Sequence, residues 1–444
     1  MTTRYDNSGA AAWGFGTRAI HAGQPVDSDH GSRNLPIHMS TAYVFDDCRT
    51  GAARFDLSEP GYIYTRLNNP TVAAVEERFL ALEGGAHAVL FASGMAAETA
   101  AILNLARAGD HIVASPRLYG GTDTLFSVTL PRMGVSVGYV ADPDDPESWA
   151  AAVRPNTRAF FAESIANPQA DVLDVPMVAG VAHAHRVPLI VDNTIPTAWG
   201  MRPLELGADI VLASTTKFYT GNGSALGGIL VDGGGFDWSA TRAGEPVFPD
   251  FVTPDPAYHG LRYADLGEAA YGLKARVGLL RDTGAAPSPF NAWLIAQGLD
   301  TLPLRMRRHN DSAQAVAEHL AAHPQVARVA YPGLPDSPWY GVKERLGLPG
   351  AGAVLAFDLA GAGDPAADRE RAWAFIDALK LHSNVANIGD VRSLVVHPAS
   401  TTHSQCSPEQ NAGAGVTQAT IRLSVGLEEV ADIIADLDGA FAAI

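Results

Sequence analysis

The stretch Asp209-Ile210-Val211-Leu212-Ala213-Ser214-Thr215-Thr216-Lys217 decides how the rest of the chain is read. It begins as a short apolar run, which predicts a buried strand. It closes on two hydroxyls two residues apart and then one lysine. Residues two apart share a face of an extended segment. Ser214 and Thr216 are therefore expected to present both hydroxyls to one anion, with Lys217 pointing to the other side. A glycine-rich turn, Gly221-Asn222-Gly223, and a second apolar run, Leu226 to Val231, follow. A lysine at the end of a buried strand loses solvation and sits at a lowered pKa, the condition that imine-forming lysines require.

Outward from this stretch, helical and extended patterns alternate. Val72, Val75, Phe79 and Leu82 recur at helical spacing and predict a helix over 71–82. Strands are predicted at 88–91, 111–114, 135–140, 158–162 and 188–191, with helices at 122–133, 147–153 and 175–184 between the later ones. Ser93-Gly94-Met95 turns from the first strand into a helix reaching residue 105. Glycine just before a helix start leaves backbone N–H groups bare for a phosphate. Strands separated by helices predict an α/β fold with a doubly wound, mainly parallel sheet. Ligands of such sheets sit at the carboxyl ends of the strands. Tyr119, Asn167, Asp192, Ser214 and Lys217 all fall just after predicted strands.

The chain divides into three parts. Residues 1–70 form an irregular arm, broken by Pro36, Pro60 and Pro70, in which Tyr64 and Arg66 can reach toward an anion. Residues 71–301 form the large domain, with an aromatic and glycine-rich excursion at 233–281. Residues 302–444 form a small α+β domain. At 444 residues, 47% hydrophobic and 18% charged, the composition is that of a soluble globular protein. A net charge of −17 argues against non-specific binding to nucleic acid or to an anionic membrane. Two distant cysteines, Cys48 and Cys406, exclude a disulfide framework, and no run is apolar enough to span a bilayer. A reducing cytoplasm is the expected compartment. His183-Ala184-His185 lacks a third ligand nearby, so no metal site is expected.

The strand-end residues make a chemical set. A lysine can form an imine, and a carboxylate, Asp192, can keep a pyridine nitrogen protonated. An aromatic, Tyr119, can stack on a flat ring. A helix N-terminus and two hydroxyls can hold a phosphate dianion. These are the parts of a pyridoxal phosphate site. Arg422 lies in an apolar stretch, 419–425, where an unpaired guanidinium is costly, so either a bound carboxylate or an internal salt bridge must meet it.

In this order, the residues resemble the Cys/Met-metabolism family of pyridoxal phosphate enzymes, and within it the O-acetylhomoserine sulfhydrylase branch. The resemblance covers nearly the whole chain through IYTRLNNPT at 63–71, GDHIV at 109–113, LYGGT at 118–122, PLIVDNT at 188–194, VANIGDVRSLVVHPASTTHS at 385–404 and IRLSVGLE at 421–428. It implies the pyridoxal phosphate-dependent transferase fold of type I. It implies that Lys217 carries the cofactor as a covalent imine and then moves protons. Asp192 is implied to pair with the ring nitrogen, Tyr119 to stack on the ring and to be catalytic beside Lys217, and Asn167 to bond the ring oxygen. Ser93, Gly94, Met95, Ser214 and Thr216 are implied to hold the phosphate. Tyr64 and Arg66 are implied to reach it from a neighbouring subunit, in a homo-oligomer built of dimers with shared sites and assembled into a tetramer. Arg422 and Asn387 are implied to take the substrate.

The implied reaction is replacement of acetate by hydrosulfide on O-acetyl-L-homoserine, a step of methionine biosynthesis. Cystathionine γ-synthase or methionine γ-lyase activity on the same fold is the neighbouring alternative, and a non-catalytic scaffold the remote one. Two positions depart from the branch. Asn222 stands where histidine is usual, and Met95 where glutamine is more common. Gly121 stands two residues after Tyr119, where the resembling lyases carry a cysteine.

Overall fold

The computed structural model describes residues 12–444 apart from 25, 28, 29, 362, 405 and 407; residues 1–11 of the predicted arm lie outside the described residues. A seven-stranded sheet is built from β1 (His87–Phe91), β2 (His111–Ala114), β3 (Ser136–Tyr139), β4 (Thr157–Glu163), β5 (Leu189–Asp192), β6 (Ile210–Ser214) and β7 (Gly228–Asp232). Their order across the sheet is β1-β7-β6-β5-β4-β2-β3. Neighbours from β6 through β5, β4 and β2 to β3 are parallel. Helices connect these strands because a parallel neighbour needs a crossover. Residues 215–227 contain no helix, and β7 accordingly returns antiparallel, between β6 and β1. The sheet is thus mixed at this end.

Burial on both faces explains the composition of the central strands. Ile210, Val211, Leu212 and Ala213 of β6 are all buried, as are Leu189, Ile190 and Val191 of β5. The helix Pro70–Glu83 starts where the Asn69 side chain accepts from Thr71 N and Val72 N, and Pro70 occupies a position that needs no N–H. Gly84, at φ +85°, ends it in the left-handed region that glycine adopts without strain. Its inward residue Phe79 meets the ring of Tyr219 edge-on at 4.9 Å. The excursion that follows β7 folds back as an aromatic cluster, with Trp238 stacked on Phe251 and Tyr271.

Beyond the helix Pro289–Asp300, which the sequence pattern did not single out, the long helix Leu302–Ala322 leads to a second, five-stranded sheet. Its central strand is Thr420–Ser424, antiparallel to Val354–Leu359 on one side and Leu394–Val396 on the other. The apolar stretch around Arg422 is therefore an interior strand. Its arginine stands in register with Ala356 and Val396.

The two sheets are tied together at the lysine turn. Arg305, on the long helix, donates to the carbonyls of Phe218, Tyr219 and Gly298 at 2.6, 3.0 and 2.7 Å. Gly389, at φ +72°, lies so close that a Cβ there would come within 2.5 Å of Phe218 N. Among the described residues, no helix is long and apolar enough to cross a membrane.

Candidate active site

At the carboxyl ends of β1, β4, β5 and β6, facing the small sheet, lies a cavity of about 250 Å³. Lys217 opens into it. The strand β6 stops at Ser214, and residues 215–217 are a turn, with Lys217 N bonded back to Ser214 O. The turn breaks the two-residue alternation. Lys217 therefore lines the same cavity as Ser214 and Thr216 and does not point away from them. The Thr216 hydroxyl is engaged with the Gly227 backbone, donating to its carbonyl and accepting from its N–H at 3.2 and 3.1 Å.

The Lys217 amine donates to Asn387 Oδ1 at 2.6 Å. Burial, and then the charge of Arg422, push its pKa down to about 8. Both causes penalise the ammonium, so the free amine is within reach near neutral pH.

Asp192 sits at the end of β5, where Thr194 donates to its Oδ1 from both backbone N–H and hydroxyl, at 2.9 and 2.5 Å. Burial raises its pKa, and these two donors hold the rise in check. Ser93 caps the helix Gly94–Leu103 by accepting from Ala96 N, and Gly94 and Met95 open that helix on the cavity wall. A Cβ on Gly94 would lie 2.7 Å from Ser214 Cβ, so the helix start and the end of β6 close on one another only because residue 94 is glycine. Tyr119 is 43% exposed and lines the cavity.

Arg422 is buried, yet among the described residues no carboxylate pairs with it. Its Nη2 donates to the backbone oxygen of Asn387 at 2.8 Å and its Nη1 reaches Asn167 Oδ1 at 3.3 Å, while Nε has no partner. Burial pushes its pKa down to about 10, still leaving it charged at neutral pH. A buried guanidinium with an unmet donor has the charge and a free N–H with which to bind an anion. Of the two readings of Arg422, the internal salt bridge has no counterpart among the described residues.

Tyr64 and Arg66 are the exceptions. They pair with each other, the guanidinium 5.2 Å from the ring centroid, and neither lines the cavity of its own chain. His183 bonds Asp209 at 2.8 Å, and no group of metal-ligating residues occurs among the described residues.

Sequence reasoning missed two acids on the wall. Glu163 ends β4 in register with Asp192, and its two oxygens accept from the backbone N–H of Tyr119 and of Asn167. The strand-end rule that picked Asp192 applied equally to it. Glu98 comes from the helix Gly94–Leu103, where it is the lone charge among small and apolar residues. Ile165, Ile195, Leu226 and Ile388 supply an apolar part of the wall that no motif marked.

A lowered lysine, a carboxylate among oriented donors, an exposed aromatic on the wall and a glycine-closed helix start are the parts that fit pyridoxal phosphate. Fold and site together define a pyridoxal phosphate enzyme of fold type I. The chain belongs to the Cys/Met metabolism PLP-dependent enzyme family, whose model matches residues 16–442. It is 65% identical, over 99% of its length and 100% of the relative's, to a protein named O-acetyl-L-homoserine sulfhydrylase from Corynebacterium glutamicum. It is 46% identical to a protein of the same name from Leptospira meyeri, over 96% of each chain. Its fold superposes on a crystal structure of a putative O-acetylhomoserine (thiol)-lyase from Campylobacter jejuni with a TM-score of 0.91. The two are 38% identical, and the match covers 97% of this chain and 100% of that one. That crystal structure carries N'-pyridoxyl-lysine-5'-monophosphate.

Proposed function

We propose that this chain is an O-acetyl-L-homoserine sulfhydrylase, exchanging acetate for hydrosulfide to give L-homocysteine in methionine biosynthesis. Pyridoxal phosphate would be held by Lys217 through its amine, by Asp192 at the ring nitrogen, by Tyr119 against the ring and by Asn167 at the ring oxygen. Ser93, Gly94, Met95, Ser214 and Thr216 would take its phosphate. When bound, the cofactor supplies an electron sink for negative charge at the substrate's Cα. Arg422, assisted by Asn387, binds the substrate carboxylate. Lys217 Nζ, once free, removes the Cα proton and shuttles protons to and from Cβ, for which an amine with a pKa near 8 is suited.

The observation that carries the choice of substrate is the charge of the wall. Among the described residues, Lys217 and Arg422 are the basic side chains this chain brings to the cavity, and the neighbour's Arg66 would be taken up by the phosphate. A succinyl ester or a cysteine co-substrate would bring a second carboxylate that neither residue is free to meet. An acetyl group fits against Ile165, Ile195, Leu226 and Ile388 without one. The names of the relatives support the same reading.

We further assign 1–70 as an arm, 71–301 as the cofactor domain and 302–444 as the small domain. Tyr64 and Arg66, free of their own cavity, would complete a neighbour's phosphate site in a homodimer, two of which form a tetramer. Two free cysteines suit a cytoplasmic enzyme. The deciding experiment follows acetate and homocysteine release from O-acetylhomoserine plus sulfide, beside methanethiol release from methionine. Homocysteine formation dominates if the proposal holds; faster methanethiol release would move the chain to the lyases.

A further inference from the structure

Three carboxyl groups share the inner wall of the cavity: Asp192 on β5, Glu163 beside it in register on β4, and Glu98 from the helix Gly94–Leu103. Three negative charges so close together, out of water, repel one another strongly, and such a cluster keeps a proton. The hydrogen bonds single out which acid keeps it. Asp192 accepts from two donors of Thr194, and Glu163 accepts from two backbone N–H groups. Glu98 accepts from one neutral hydroxyl, Thr122 Oγ1, at 2.9 Å, and its Oε1 has no partner. Donors stabilise the ionised form, so the acid with the fewest is the one that stays neutral. Burial and the nearby Asp192 raise Glu98 and Glu163 alike, so it is the hydrogen bonds that tell the two acids apart. The other titratable group that feels it, Tyr139 on β3, gives its proton to an Asp123 hydrogen bond and offers Glu98 no positive charge.

The two newly found acids also hold one short segment from both ends. Glu163 fixes the N–H of Tyr119, and Glu98 fixes the hydroxyl of Thr122, one helical turn on. We propose that Glu98 is a positioning residue for the cofactor ring, an uncharged acid that anchors Thr122, and with it Tyr119, without adding a third charge beside Asp192. This rests on the reading of Tyr119 and Asp192 as ring-binding residues.

The test uses the holoenzyme without substrate, so that the identity of the substrate does not enter. The infrared difference between wild type and Glu98→Gln should show loss of a carboxylic-acid carbonyl band at neutral pH. Loss of a carboxylate band instead would overturn the proposal. Circular dichroism in the visible band of the bound cofactor reports how the ring is held. Glu98→Gln, which still accepts from Thr122 and is neutral, should keep that signal. Glu98→Leu should lose at least half of it. Equal change in both variants, or no change in Glu98→Leu, would overturn the proposal. Thr122→Val removes the donor and leaves the acid in place. It should copy the dichroism of Glu98→Leu, and an unchanged signal there would count against the anchor even if the Gln variant failed to fold. A wild-type protein with no visible cofactor band would sink the cofactor reading itself, a distinct outcome.

Discussion

Lys217 and Arg422 hold the same residue: the amine bonds the side-chain oxygen of Asn387 and the guanidinium bonds its backbone oxygen. One cation comes from the turn after β6 and the other from the middle strand of the small sheet. With Asn167 beyond Arg422, and Glu163 joining Asn167 to Tyr119, a chain of hydrogen bonds runs round the cavity. The proposed proton shuttle and the proposed carboxylate site are thereby fixed relative to each other.

The lowered pKa of Lys217 sets how fast the cofactor-free enzyme captures pyridoxal phosphate. Only the neutral amine attacks a carbonyl. The capture rate should rise about tenfold per pH unit below about 8 and level off above it. Arg422→Leu removes the second cause of the lowering, so the midpoint should move up. Stopped-flow absorbance against pH measures both. A midpoint near that of ordinary lysine in the wild type would contradict the buried amine.

Asn387→Ala deletes the acceptor for Lys217 but keeps the backbone oxygen that Arg422 uses. Loss of one charge-assisted bond should lower kcat by about tenfold, with a smaller rise in KM. Steady-state kinetics on O-acetylhomoserine check this. A large KM change at constant kcat would mean that Asn387 acts on substrate binding alone.

Glu83 is fully buried and accepts from the Tyr219 hydroxyl at 2.7 Å. Burial pushes its pKa from 4.5 up to about 7. A raised folded-state pKa gives stability that is fully present below the unfolded value and is lost as pH rises through about 7. Glu83→Gln cannot ionise. Its stability relative to wild type should therefore increase between pH 4.5 and 8, on the order of 3 kcal/mol at most. Denaturant unfolding at the two ends of this range would show it. A pH-independent difference would argue that Glu83 is ionised throughout.

Shared sites would show in mixed oligomers. Arg66→Ala and Lys217→Ala should each be inactive alone. After subunit exchange, one hybrid site in each mixed dimer carries neither defect, so activity should recover to roughly a quarter of wild type. No recovery despite proven exchange would confine each site to one chain.

Much of this site was legible because strand ends can be read locally. Ser214, Asp192, Asn167 and Tyr119 were found from apolar runs and the turns that close them. Arg422 stood out as a charge in an apolar stretch, but its partners come from distant segments, and periodicity carries no information about them. The direction of β7 was missed for a similar reason. An apolar run reads the same in either direction, and only the helix-free link from β6 distinguishes them. The face shared by Lys217 and Ser214 was misjudged because alternation was carried past the point where β6 ends. Glu98 escaped because a single acid in an alanine-rich helix looks like a solvated surface residue until the sheet buries it.

The strand β1 has a single neighbour in its sheet, β7, formed by residues 228–232. On the ribosome, β1 must therefore wait for everything up to Asp232 to be synthesised, on the order of ten seconds. The helix start at Gly94 waits with it, since it is closed by Ser214. The small sheet that carries Arg422 emerges later still. The proposed cofactor site would therefore close only after residue 232 has been made, and its Arg422 side later than its lysine side.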